Sequence, residues 1–350
     1  MQKSAEVKPR VPDGLAYPHA QPPPAGALQE VAPGVYWLRM PLPFALEHIN
    51  LWLLADGDGW TIVDCGFGSD ETRELWEQIF AARLGGLPVK RIIVTHFHPD
   101  HFGLAAWLAE RWQAPVHMAA REFAAAQGWF AGSVLHTRAA HVAMFAQHGL
   151  PPADDLTQHR QNLFKRGVPA LPAAIVELDD GHPLTIDGRA WRVVTGYGHS
   201  PAHAALYCEA LGVLIAGDMV LPRISTNVSV QPHSPDGDPL GLFLDSLTRY
   251  AELDAETLIL PSHGLPFHGL RERIAALKQH HTERLDELLL ACIEPQTAAT
   301  AMPVIFRRAL DATQTFFAMG ETLAHLNYLQ QRDQLARTRG DDGIYLYARV

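Results

Sequence analysis

The stretch Thr95-His96-Phe97-His98-Pro99-Asp100-His101-Phe102-Gly103 places three histidines and an aspartate in six consecutive positions, and any fold must be built around that crowding. It follows Val89-Lys90-Arg91-Ile92-Ile93-Val94, an apolar run bounded by Pro88 that reads as a buried strand. It precedes Leu104 to Trp112, Ala- and Leu-rich, which reads as a buried helix. In extended backbone His96 and His98 project to the same side, while Asp100 and His101 fall where the helix begins and can turn back toward the same point. Donors of this kind suit zinc, with iron or manganese as alternatives, better than calcium, which takes only oxygen. A chain with 19 histidines brings some together by chance, and Asp100 alone could be a helix cap. Neither accounts for four donors at the top of one strand.

Further along, apolar strands run repeatedly into single polar residues. Val35–Leu38, Ile49–Leu54 and Trp60–Asp64 read as successive strands of a mixed sheet, with Asp56-Gly57-Asp58-Gly59 as a hairpin turn. Ser69-Asp70-Glu71 introduces a helix over Thr72 to Leu84. Ala114–Met118 reads as a short strand carrying an ordinary, partly buried His117. The segment 121–170 has helical periodicity and is rich in aromatics and histidines, including Trp129, Phe130 and His136. It reads as a helical insertion over the site, where inserted loops set substrate choice. Strands at Ile175–Leu178, Leu184–Ile186 and Ala190–Val194 lead to Thr195-Gly196-Tyr197-Gly198-His199-Ser200-Pro201-Ala202-His203. Leu206–Cys208 and Val213–Ala216 end in Gly217-Asp218-Met219, and Thr257–Leu260 ends in Pro261-Ser262-His263-Gly264. Read alone, Asp64 and Asp218 are equally suited to be turn formers.

The spacing His96-x-His98-x-Asp100-His101 is the signature of the metallo-β-lactamase-fold superfamily, and the sequence resembles that family over roughly residues 30 to 270. Gly198-His199-Ser200-Pro201-Ala202-His203 resembles its Gly-His-Thr-Pro-Gly-His loop, with Ser200 for Thr and Ala202 for Gly, which keep a hydroxyl and a small residue. The resemblance implies an α/β (α+β) four-layer αβ/βα sandwich holding two divalent metal ions. His96, His98 and His199 would hold one, Asp100, His101 and His263 the other, and Asp218 would bridge them. His203 and His268 would stay outside, and Asp64 would buttress the ligands, a role as consequential as ligation itself. The implied chemistry is attack on a carbonyl by a hydroxide shared between the ions, with Asp100 and Asp218 as catalytic carboxylates. Tyr197, Phe130 and His136 are the candidate substrate contacts.

The domain division expected is a proline-rich arm over 1–28, extended or disordered, a catalytic domain over 29–268, and a C-terminal helical domain over 269–350. In that last part a long amphipathic helix runs from Arg271 to Leu290 and ends before Pro295. Two further helices, Thr300–Phe306 and Glu321–Arg332, and a strand at Gly343–Tyr347 resemble the winged-helix-like tail of some metallo-β-lactamase-fold hydrolases. A net charge of −10, and six arginines against five acidic residues with no lysine in 295–350, argue against nucleic acid as partner. Packing on the catalytic domain or homodimerisation is expected of this tail instead. Cys65, Cys208 and Cys292 have no disulfide or metal spacing, and no apolar run reaches membrane-span length, so the expected compartment is the cytoplasm. The substrate class expected is an ester, thioester or lactone of a small acyl metabolite. The alternatives are phosphodiester or RNA cleavage and iron-dependent persulfide dioxygenation.

Overall fold

A computed structural model describes residues 14–44, 46–152 and 164–350. The expected arm lies outside the described residues over 1–13, and the expected insertion does so over 153–163. From residue 14 the arm is anchored: Ala16 exchanges backbone hydrogen bonds with His268 at 3.2 and 2.8 Å, and Tyr17 packs on Phe267.

The described residues form two large sheets. The first is seven-stranded, in chain order, from β1 (Gln29–Ala32), β2 (Val35–Pro41), β3 (His48–Ala55), β4 (Trp60–Val63), β5 (Val89–Ile93) and β6 (Val116–Met118) to β7 (Val176–Glu177). It is antiparallel up to β4 and parallel beyond. The second contains β8 (Pro183–Ile186), β9 (Arg189–Gly196), β10 (His203–Cys208), β11 (Val213–Gly217) and β12 (Leu258–Pro261) in the order β12-β11-β10-β9-β8, with β11 and β12 parallel.

Side-chain alternation separates three apolar layers. Along β2, Val35 and Trp37 face the second sheet, while Leu38 and Met40 face helices. Between the sheets Trp37, Trp52, Ile93, Trp191, Leu206 and Ile215 form one core, with the Trp37 and Trp52 rings stacked at 6.3 Å. Outside the first sheet pack α1 (Asp70–Arg83), α3 (Ala105–Trp112) and α4 (Ala120–Ala131); Ser69 Oγ caps α1 by accepting from Thr72 N at 3.2 Å. Outside the second pack α5 (Arg138–Gln147) and α6 (Pro239–Tyr250). The layering is αβ/βα, as the resemblance implies.

The same outer core continues into the C-terminal helices α7 (Leu270–Ala291), α8 (Ala298–Ile305) and α9 (Ala312–Gln330) and the hairpin β13 (Leu335–Arg339) with β14 (Tyr345–Arg349). Helix α9 begins nine residues before the Glu321 start expected from the sequence. Asp311 and Gln314 form a reciprocal capping box there, and Gly320, which reads as a breaker, sits in mid-helix. Among the described residues no helix is long and apolar enough to cross a membrane.

Candidate metal centre

The polar residues singled out above collect at one end of both sheets. Beyond β5 the chain enters the single turn α2 (Pro99–Phe102), so His96, His98, Asp100 and His101 follow one strand end. His199 lies between β9 and β10, Asp218 directly after β11, and His263 two residues after β12. Asp64 follows β4 with a left-handed φ of 63°, a conformation that aspartate tolerates better than most residues. That turn aims its carboxylate at the first motif: Oδ1 accepts from Thr95 N and Oδ2 from Thr95 Oγ1, both at 2.8 Å, and Oδ2 meets His101 Nδ1 at 2.7 Å.

Two donor clusters result. In the first, His96, His98, His199 and Asp218 present ligand atoms within 4.8 Å of one another, and in the second Asp100, His101 and His263 do the same. His96 Nε2 stands 2.9 Å from His98 Nδ1 and 3.2 Å from His199 Nε2. Asp218 faces both clusters: Oδ2 is 3.5 Å from His199 Nε2, while Oδ1 is 3.5 Å from His101 Nε2 and 3.6 Å from His263 Nε2. Asp100 Oδ2 lies 3.5 Å from His263 Nε2 and 3.7 Å from His101 Nε2. The seven expected ligands are thus brought together, and each of the seven is buried or nearly so.

The donor set fits divalent cations. His101 Nε2, His263 Nε2 and Asp218 Oδ1 are buried without a hydrogen-bond partner, a costly state that a coordinated ion would relieve. The opposite ring nitrogens are tied down, His101 Nδ1 to Asp64, His199 Nδ1 to the Asn227 carbonyl at 2.8 Å and His263 Nδ1 to the His48 carbonyl at 2.9 Å. Each Nδ1–H donates outward and leaves an Nε2 lone pair facing inward. Burial, reinforced by neighbouring imidazoles, holds His96 well below its ordinary pKa and so in the neutral, ligating form. Burial opposes the charged form of Asp218, but His101 and His263 outweigh it and keep this carboxyl well below the usual range.

His203 is outside the donor clusters yet against them. It is fully buried, its Nε2 accepts from Asp218 N at 3.1 Å, and a Cβ at Gly217 would collide with the same ring. His268 bonds instead to the Glu256 carbonyl, and His117 lies on β6 with no part in either cluster.

Two supporting residues have no sequence motif. Glu122 on α4 is fully buried; its Oε2 accepts from Phe97 N at 3.0 Å, and its Oε1 accepts from Ser200 Oγ at 2.6 Å and Ala202 N at 2.5 Å. One carboxylate thereby clamps the His96–His98 segment to the His199 loop. Asn50 in β3 donates from Nδ2 to the carbonyls of Pro261 and Gly264, each at 2.8 Å, which fixes the turn carrying His263. The available signal was only a polar residue inside an otherwise apolar run.

A cleft of about 690 Å³ opens from His98 and His199, walled by Phe97, Trp129, His136, Tyr197, Val230 and Leu242. Of the three expected substrate contacts, His136 and Tyr197 line this cleft. Phe130, on α4, does not line it: this ring packs against the core outside the first sheet with Lys165 Nζ 6.0 Å away, and its neighbour Trp129 occupies the wall.

Comparison with known proteins agrees with this geometry. The model of the metallo-beta-lactamase superfamily matches residues 45–263, and that of the metallo-beta-lactamase-like C-terminal domain matches 285–350. A beta-lactamase domain protein from Burkholderia ambifaria is 51% identical and superposes with a TM-score of 0.90, over 96% of this chain and 98% of that one. A metallo-beta-lactamase family protein from Thermus thermophilus is 33% identical with a TM-score of 0.78, over 92% and 100%. The probable metallo-hydrolase YqjP of Bacillus subtilis is 26% identical over 88% of this chain and 96% of its own. With strand ends, donors and matched segments in agreement, the chain belongs to the metallo-beta-lactamase superfamily and is a metallo-hydrolase of that kind.

Proposed function

We propose that the protein is a dinuclear metal-dependent hydrolase, with zinc as the expected metal, acting on an ester, thioester or lactone of a small acyl metabolite. The observation that carries this reading is Asp218, whose two carboxylate oxygens face different donor clusters. His96, His98 and His199 would hold one ion and Asp100, His101 and His263 the other, with Asp218 shared. When bound, such a pair lowers the pKa of a water toward neutrality and polarises a carbonyl.

The chain's own groups supply the rest. Asp64 holds His101 in the tautomer that offers Nε2, and the Asn227 and His48 carbonyls do the same for His199 and His263. Asp100 Oδ2, turned toward the same centre, is placed to orient a water and accept its proton. Phe97, Trp129, Tyr197 and Leu242 give the cleft apolar walls for an acyl group. No cysteine competes as nucleophile: all three are buried, and burial pushes the Cys65 thiol well above its ordinary range. A protein named atrochrysone carboxyl ACP thioesterase, from Pseudocercospora fijiensis, is 21% identical over 67% of this chain and 52% of its own, which supports thioesters as a substrate class. Three unpaired cysteines are in keeping with a reducing cytoplasm.

The test is metal analysis of the purified protein together with thioesters, lactones, an alkyl sulfate, a cephalosporin and RNA. Two transition-metal equivalents per chain and chelator-sensitive ester or thioester turnover are expected. Asp218→Asn keeps the size but loses the anionic bridge, so it is expected to lose one equivalent and at least about a hundredfold in kcat/KM at pH 7. One iron per chain with oxygen uptake on a persulfide, or an Asp218→Asn protein with both metals and normal activity, overturns the reading.

A further inference from the structure

The cleft has a wall whose support lies outside the catalytic domain. Ser229, Val230, Gln231, His233 and Ser234, on the connection between β11 and α6, face the cleft. The connection holds a tight turn, in which Ser234 N donates to the Gln231 carbonyl at 2.9 Å and Gly237 N to the Ser234 carbonyl at 3.0 Å, and touches α5 where Gln231 Oε1 meets His141 Nε2 at 3.0 Å; its other anchors over 230–238 come from the C-terminal helices and hairpin.

Val230 N donates to the Gly320 carbonyl at 3.1 Å. Asn327 Nδ2 donates to the carbonyls of Pro235 and Gly237, both at 2.9 Å, and Gln331 Nε2 to that of Asp236 at 2.7 Å. Arg332 reaches Asp238 at 2.8 Å, and Arg337 reaches Asp236 at 2.7 Å. Gly320 is required at its mid-helix position, because a Cβ there would stand 2.8 Å from Ser229 Oγ. Asn327 is 2% exposed, and its one amide group ties two carbonyls of the partly exposed turn to the buried face of α9. At its inner end the same connection gives the Asn227 carbonyl to His199.

We infer that the C-terminal domain is a structural part of the substrate site, and that Asn327 is a positioning residue which sets the cleft wall over residues 229–237. The inference rests on the reading of this cleft as the substrate site. It differs from ordinary domain packing in what it moves: loss of Asn327 alters substrate fit at the wall over 229–237 and leaves the metal ligands in place, six of them on other strand ends and Asp218 at the far, β11 end of the connection.

The experiment uses the full-length metal-loaded protein with Asn327→Ala and, as a variant that removes only partly exposed ion pairs, Arg332→Ala/Arg337→Ala. Hydrolysis of p-nitrophenyl acetate and p-nitrophenyl octanoate is compared, with metal content and amide hydrogen exchange. For Asn327→Ala, KM for the octanoate is expected to rise about tenfold, the size of one or two lost hydrogen bonds, while kcat for the acetate and the metal content hold. Exchange over residues 226–238 is expected to quicken about tenfold in both variants, with residues 89–101 unchanged. Equal losses on both esters, or unchanged exchange over 226–238, overturn the inference. If neither ester is hydrolysed by the unaltered protein, the functional reading fails, and the exchange measurement still decides whether Asn327 holds the wall.

Discussion

Glu122 shows what a single residue contributes when it joins two loops that never meet in sequence. Burial pushes its carboxyl up to about 7, and the donors Ser200, Ala202 and Phe97 pull in the opposite direction, so the anion depends on those three bonds. Glu122→Gln keeps the volume but turns an amide NH2 toward groups that are themselves donors. The His96–His98 segment and the His199 loop then lose their common anchor, and metal affinity is expected to fall about ten- to a hundredfold, measured by competition with a chromophoric chelator. Unchanged affinity would make Glu122 a packing residue only. The contrast with the ligands explains what could be read in advance. His96, His98, Asp100 and His101 are legible because their chemistry is crowded into one turn. Glu122 and Asn50 are not, because their partners lie 80 and 211 residues away and nothing local marks either as a clamp.

Helices α7 and α9 meet through an unusual pair. His281 and His325 are fully buried, with Nδ1 and Nε2 3.1 Å apart, and His325 Nδ1 donates to the Glu321 carbonyl at 2.8 Å. Burial lowers the pKa of His325 to about 4 and, with the neighbouring imidazoles, that of His281 to about 2. Both are neutral in the folded protein at pH 6.5 and remain so well below it, whereas the unfolded chain takes up protons from about 6.5 downward. Stability is therefore independent of this pair above pH 6.5 and is lost as pH falls toward 4, by about 1.4 kcal/mol per pH unit for each histidine. Thermal unfolding of the metal-loaded protein at pH 7, 6 and 5 tests this against His281→Leu/His325→Leu, whose midpoints are expected to fall less steeply. Parallel curves would exclude the pair as the source. These helices were only half legible: the amphipathic face of α7 is regular, whereas α9 hides behind Gly320, whose reason is the Ser229 contact on another element. Strand β13 reads Leu-Ala-Arg-Thr-Arg, without the apolar alternation that identifies a strand by itself.

Across the whole molecule, the first sheet contributes four ligands of the centre and the second sheet three, so the centre joins the two halves of the sandwich. The layer order was expected from the resemblance to the metallo-β-lactamase fold, which the motifs at successive strand ends carried. Packing of the tail on the catalytic domain was expected only as one of two alternatives, and that α6, α7 and α9 share one apolar core was not legible, since amphipathic faces on separate segments do not say which of them meet. Binding that requires both sheets stabilises only the folded state, by about 2.7 kcal/mol for each site at free metal a hundred times Kd. Stripping the ions with a chelator is accordingly expected to lower the unfolding midpoint by several degrees and restoring them to recover it; identical midpoints would mean that the donors hold no ion in solution. The position of the last ligand adds a constraint on synthesis. His263 emerges from the ribosome long after the first motif, and its turn is fixed by Asn50, which was made much earlier. A chain truncated before His263 can thus complete the first donor cluster but never the second, which makes filling of the second a checkpoint that only a finished catalytic sandwich passes.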